Sequence, residues 1–176
     1  EATGGELEAI VAEAARSIAA PVAFITLLDP EGERVLAIRG WSVTRMPAGC
    51  GFAAPISGEK DVVVVADTTR DSRFASHPFV VGQPNIRFFA GAPVTENGRV
   101  VGVLAVVDRV AHHLAADQVT SLRLLARQVS RGARSNGQVA LLAPLRTQAY
   151  PWLECVCQRF LNMDNDRPAL SVGVAS

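Results

Sequence analysis

Residues 71–109 read DSRFASHPFVVGQPNIRFFAGAPVTENGRVVGVLAVVDR, and this stretch decides the fold. Its second part holds two runs of strand formers, 86–95 and 99–109, separated by Glu96-Asn97-Gly98. Asn-Gly between such runs signals a tight hairpin, because both residues tolerate positive φ. In 100–107, alternation sends Val101, Val103, Ala105 and Val107 one way and Leu104 and Val106 the other. In 86–93 it puts Ile86, Phe88, Ala90 and Ala92 on one face and Arg87, Phe89, Gly91 and Pro93 on the opposite one. Strands that are apolar at both parities belong to a sheet covered on both sides. The first part, 71–85, mixes charges, a histidine, prolines and glycine, and reads as an irregular segment with short-helix signals.

Outward from this centre, VVVVAD at 62–67 predicts a short buried strand ending on Asp67. VAFITLLD at 22–29 and RVLAIRGW at 34–41 flank the turn residues PEGE and predict a second antiparallel hairpin. Leu7, Ile10, Val11, Ala14 and Ile18 recur with helical period over 4–20, and Pro21 stops that helix. A last helix over about 115–131 has Val119, Leu122, Leu125, Ala126 and Val129 on one face. Its Arg123, Arg127 and Arg131 sit at spacings of four towards the carboxyl end, where the helix dipole favours cations. The expected class is α/β (α+β): an antiparallel five- or six-stranded sheet with the N- and C-terminal helices on one face. Two excursions, 42–61 and 68–85, must cover the other face, and a cover of loops and short helices is where cavities form.

Composition sets limits on partners. The 176 residues are 49% apolar and 19% charged, with 17 basic and 17 acidic side chains and no basic tract. Nucleic acid and membrane surfaces are therefore not expected partners. The longest apolar runs are too short to span a bilayer, so no membrane insertion is expected. Cys50, Cys155 and Cys157 have no framework spacing, which predicts reduced thiols, a cytoplasmic setting and no zinc site. The chain begins at Glu1 and not at Met, as a piece of a longer protein would.

The string from Ala66 to Val129 resembles a bacterial signal-transduction subgroup of the GAF sensor domains. The shared run is D-x-R-F-x-x-x-P-x-V-x-G-x-P-x-I-R-F-Y-A-G-x-P-L, met here by Asp71, Arg73, Phe74, Pro78, Val80, Gly82, Pro84, Ile86, Arg87, Phe88, Ala90, Gly91 and Pro93. Phe89 stands where Tyr is usual and Val94 where Leu is usual. Gly102, Leu104, Val106, Asp108, Leu114, Gln118, Leu122, Leu125 and Ala126 continue the match. The resemblance covers 5–131, taken as a sensory domain, and leaves 137–176 as an extension of a helix plus a short strand or tail. It implies a regulatory, non-catalytic module that senses a small molecule or dimerises, joined to an output domain. His112 and His113 have no neighbouring Cys, which argues against a covalent bilin, and the N-K…F…D-E pattern of cyclic-nucleotide binders is absent. The cofactor, if any, is unidentified.

Candidate ligand-binding residues are Phe52, Asp71, Arg73, Phe74, Arg87, Phe89 and Gly91. Arg73 either reaches for a ligand anion or pairs with Asp71, while Phe74 plugs the core. Arg87, on a covered face, needs a ligand anion or a carboxylate such as Asp71 or Asp67. Gly91 leaves room for a close backbone or ligand. His77 is expected to be exposed or capping. Two other readings stand beside the sensor. One is a thiol redox enzyme of the free methionine sulfoxide reductase type, using Cys50 with Cys155 or Cys157. The other is a scaffold whose pocket is filled by Phe52, Phe74, Phe79 and Phe89.

Overall fold

The computed structural model describes residues 4–47 and 49–135. The stretch 137–176, including Cys155 and Cys157, lies outside the described residues. In chain order the main elements are helix α1 (Gly4–Ile18), strands β1 (Val22–Asp29), β2 (Gly32–Arg39), β3 (Arg45–Pro47) and β4 (Val63–Val65), helix α2 (Pro78–Val81), strands β5 (Phe88–Glu96) and β6 (Arg99–Asp108), and helix α3 (Ala116–Ser135). Single 3₁₀ turns form at Ala54–Ile56 and Thr68–Arg70.

The strands form one six-stranded antiparallel sheet in the order β3-β2-β1-β6-β5-β4. The hairpin between β5 and β6 turns at Asn97 (φ 49°) and Gly98 (φ 78°), the positive pair that the Asn-Gly dipeptide predicts. β1 and β6 lie at the centre. Gly102 there lets β6 approach β1, because a Cβ at that position would collide with the Thr26 carbonyl.

Two apolar layers sandwich the sheet. On one face α1 and α3 pack through Val11, Ala14, Ile18, Leu122, Ala126 and Val129 onto Ile25, Leu27, Phe88, Ala90, Leu104 and Val106. On the other, the excursions bring Phe52, Ile56, Phe74, Phe79 and Val80 onto Phe24, Phe89, Val103, Ala105 and Val107. Gln118 Nε2 donates to the Ser17 carbonyl at 2.9 Å and ties the start of α3 to the end of α1.

Three strand expectations are corrected, two of them about faces. Val101 lies on the helix side and not with Val103, because the register between β5 and β6 shifts at Val94/Thr95 and Val101 falls in the resulting bulge. Ile86 belongs to the excursion-side cluster with Phe89, since β5 starts only at Phe88 and strict alternation does not extend back to it. The run 62–67 is shorter and less buried than expected: only Val63–Val65 is strand, at the sheet edge, with Val64 partly exposed.

Candidate functional site

The excursion face is held by a small polar hub inside an aromatic layer. Glu33 sits at the start of β2 and is 2% exposed. One carboxylate oxygen accepts from Thr26 Oγ1 at 2.8 Å and the other from the Ala53 N–H at 2.7 Å. Ala53 caps the 3₁₀ turn Ala54–Ile56, so Glu33 satisfies backbone donors at its amino end. Burial pushes the Glu33 carboxyl above the usual carboxylate range, against the hydrogen bonds from Thr26 and the backbone amides of 52–54. Gly51 fits against this carboxylate because it has no Cβ; a Cβ would collide with Glu33 Oε1.

The Gly51 carbonyl is 3.2 Å from His77 Nε2. His77 Nδ1 accepts from the Phe79 N–H at 3.2 Å and caps α2, with Pro78 at its first position. An accepting Nδ1 places the proton of the neutral ring on Nε2, which then donates to the Gly51 carbonyl. Burial lowers the His77 pKa to about 4, the Gly51 carbonyl opposing in part. Of the two places expected for His77, exposed or capping, it takes the cap, with the ring buried at 6% exposure. Glu33, Gly51 and His77 link the sheet, the first excursion and the second.

Around this hub the aromatic rings are closely stacked. Phe52 lies 4.5 Å from the His77 ring at 25°, 5.5 Å from Phe89 at 12° and 5.5 Å from Phe24. Phe74 lies 4.7 Å from Phe89. Phe52, Phe74 and Phe89 are all 0% exposed. Gly91 makes room for the chain's own Phe89, whose ring occupies the space a Cβ would need.

The polar candidates take different places. Arg73 donates through Nε and Nη2 to Asp71 at 3.0 and 2.8 Å and through Nη1 to Glu59 at 3.2 Å. Arg73 holds the Asp71 carboxyl below its ordinary range, through its side-chain bonds foremost and then its backbone N–H and its charge, against the effect of burial. Arg87 is half-buried and donates through Nη1 to the Val80 and Ile86 carbonyls at 2.9 and 3.0 Å. The expected carboxylate bond to Asp71 or Asp67 is not formed; instead Arg87 satisfies a carbonyl at the carboxyl end of α2. Asp67 feels its charge, while its carboxylate accepts from Thr69. Among the described residues, then, the structure gathers Phe52, Phe74, Phe89 and Gly91 in one layer, and sets Asp71, Arg73 and Arg87 around its rim.

Sequence reasoning did not find Glu33. Its place beside PEGE gives it a turn reading, although its parity with Val35 puts it on the covered face. Cys50 is 1% exposed and disulfide-bonded, against the expectation of a reduced thiol. No group of His, Cys, Asp and Glu with metal-holding geometry occurs among the described residues. None of the described helices is long and apolar enough to cross a membrane.

Comparison with known proteins places this architecture. A cyclic di-GMP phosphodiesterase of Pseudomonas aeruginosa is 39% identical over 124 residues, covering 69% of this chain and 21% of that protein. The chain thus spans about a fifth of the length of that relative. The crystal structure of the GAF domain from an Acinetobacter phosphoenolpyruvate-protein phosphotransferase superposes with a TM-score of 0.62 at 22% identity, covering 77% of this chain and 86% of that one. A domain of a putative two-component sensor histidine kinase from Sinorhizobium meliloti gives 0.61 at 18% identity, covering 81% and 99%. The GAF domain family matches residues 5–132. With that match over most of its length, and with the two-faced antiparallel sheet just described, this chain belongs to the GAF domain family.

Proposed function

We propose that residues 5–131 form a regulatory, non-catalytic domain of a bacterial signal-transduction protein, which senses a small molecule, dimerises, and passes its state to an output domain through α1 and α3. One observation carries this reading. The sheet bears the loop-built cover on one face and both terminal helices on the other, with β1, β5 and β6 in contact with each layer. A rearrangement of the cover reaches the helices through three strands and no intermediate element. The curated relative, a phosphodiesterase five times longer than the matched region, supports a domain that serves a larger enzyme.

In this reading the ligand site includes Phe52, Asp71, Arg73, Phe74, Arg87, Phe89 and Gly91. The aromatic layer is filled by its own side chains, so ligand entry displaces Phe52 or Phe74. The equilibrium between closed and open cover is then what a ligand shifts. Arg87 is the anchor for an anionic group, because only its Nη1 donates to the protein in the bonds described above. Native mass spectrometry of the full-length protein purified from its own host tests the proposal. A dimer mass with a retained small molecule, lost in Arg87→Ala, is the expected result. A ligand-free monomer at working concentrations overturns it.

A second reading rests on Cys50, whose disulfide makes thiol chemistry a specific alternative. A thiol redox enzyme of the free methionine sulfoxide reductase type would reduce free methionine sulfoxide in a coupled assay and lose that turnover in Cys50→Ser.

A further inference from the structure

A separate cleft of about 650 Å³ opens on the helix side of the sheet, between α3 and the β4–β5 edge. It arises because β4 is only three residues long and its first residue, Val63, lies opposite Gly91, so β5 continues past it without a neighbour on that side. Two features keep this edge from recruiting another strand. Pro93 has no N–H to offer, and the Thr95 N–H is taken by Ser130 Oγ of α3 at 3.0 Å. The floor is thus closed to backbone pairing, and Ala92 and Ala126 keep it open to a ligand of modest size.

The walls are mainly cationic. Lys60, Arg123, Arg127 and Arg131 line the cleft against a single carboxylate, Asp61. Asp61 is occupied: Arg123 donates to it through Nε and Nη2 at 2.7 and 2.9 Å. That pair holds the Arg123 guanidinium at the cleft mouth with a further edge available. Lys60 and Arg127 are exposed, and Arg127 acts on Asp61 through its charge without a hydrogen bond to it. The arginines recur every four residues, so they stand in a row along one face of α3. A row of guanidinium forks beside an ammonium, over a neutral floor, suits an anion with several oxygens.

We propose that this cleft binds a phosphorylated small molecule, with Lys60 and Arg127 as its principal contacts and Arg123, oriented by Asp61, as a third. The site lies across the sheet from the aromatic layer and does not depend on it. Because α3 forms one wall and the β4 edge the other, an anion held there braces α3 against the sheet.

Inorganic pyrophosphate is the probe, titrated into the 176-residue chain at low ionic strength and followed by calorimetry and by amide NMR shifts. The expected result is a single site, with shifts confined to 60–62, 92–95 and 123–131, and binding at least tenfold weaker in Lys60→Gln/Arg127→Gln. Thermal unfolding of that variant should stay close to the parent, since both side chains are exposed and only the screened attraction of Arg127 for Asp61 is lost; if the double variant does not fold, either single substitution is expected to weaken binding about threefold. Citrate, a carboxylate polyanion, should bind at least tenfold more weakly than pyrophosphate. Equal binding by the variant, equal binding of citrate, shifts outside the cleft, or no saturation at millimolar pyrophosphate would each overturn the proposal.

Discussion

His77 shows how one buried residue sets a pH dependence. Its folded pKa of about 4 lies below the ordinary value of 6.5, so the unfolded chain takes up a proton first as pH falls. Stability is therefore fully present above about pH 6.5 and is lost between there and about pH 4. The full loss is on the order of 3 kcal/mol for a shift of this size. His77→Gln forfeits the ring stack on Phe52 and part of the cap, and should cost about 1–3 kcal/mol at pH 7. That gap should shrink as urea unfolding is repeated from pH 7 down to pH 4.5; a gap independent of pH would refute the buried neutral ring. Glu33 works in the opposite sense. Its raised pKa means that the native state prefers the protonated form, so its contribution is favourable at low pH and is lost as pH rises. Glu33→Gln should accordingly equal or exceed the parent in stability at pH 7 and lose that advantage near pH 4, whereas Glu33→Ala orphans the Ala53 N–H and should cost about 2–4 kcal/mol throughout. The cap at His77 was legible because proline follows it. The burial of Glu33 was not, because a charge next to a turn reads as solvated until the chain that covers it is known.

At the scale of elements, local chemistry was legible wherever one or two residues dictate the geometry. Asn97-Gly98 fixed a hairpin, Pro21 ended the helical pattern before β1, and the apolar stripes of α1 and α3 set which faces meet the sheet. The bulge at Val101 escaped, since alternation counts residues and a bulge inserts one that pairs with nothing. The strand β3 escaped too. Its three residues pair with Gly32–Arg34, and its Arg45 is clamped by both carboxylate oxygens of Asp29 at 2.7 Å, a contact across sixteen residues that no local pattern encodes. The two central glycines give a graded test of strand packing. A Cβ at Gly102 meets the Thr26 backbone, which cannot yield without moving β1; a Cβ at Gly91 meets the ring of Phe89, a side chain. Gly102→Ala should thus cost about 3 kcal/mol or more and Gly91→Ala about 1–3 kcal/mol. Combining Gly91→Ala with Phe89→Leu should cost less than the sum of the two single changes. Denaturant midpoints of the four proteins measure this, and strict additivity would mean that the ring is not the obstacle.

For the whole molecule, the decisive property is that the sheet is covered twice, and that the second cover is aromatic. Phe52, Phe74 and Phe89 are fully buried, and the Phe89 ring packs against both of the others. A ligand of this face must then compete with the rings for the same space, and it shifts the closed state only by its extra affinity for the open one. Removing one ring separates space from competition. Phe52→Ala should lose about 3–5 kcal/mol, the usual range for a buried phenylalanine truncated in a core that relaxes only in part. The space it leaves is walled by Phe24, Phe89 and the His77 ring, and an apolar cavity of that kind stays dry and accepts a small aromatic. Benzene at saturation should therefore raise the unfolding midpoint of Phe52→Ala and leave the parent chain unchanged; where the alanine variant does not fold, Phe52→Leu offers a smaller void and a smaller shift. If benzene stabilises the parent as much as the variant, the closed layer already holds space, and the face is an open pocket rather than one that a ligand must unpack. If it stabilises neither, the layer collapses around the gap, and the excursions are mobile enough to close over any ligand that enters.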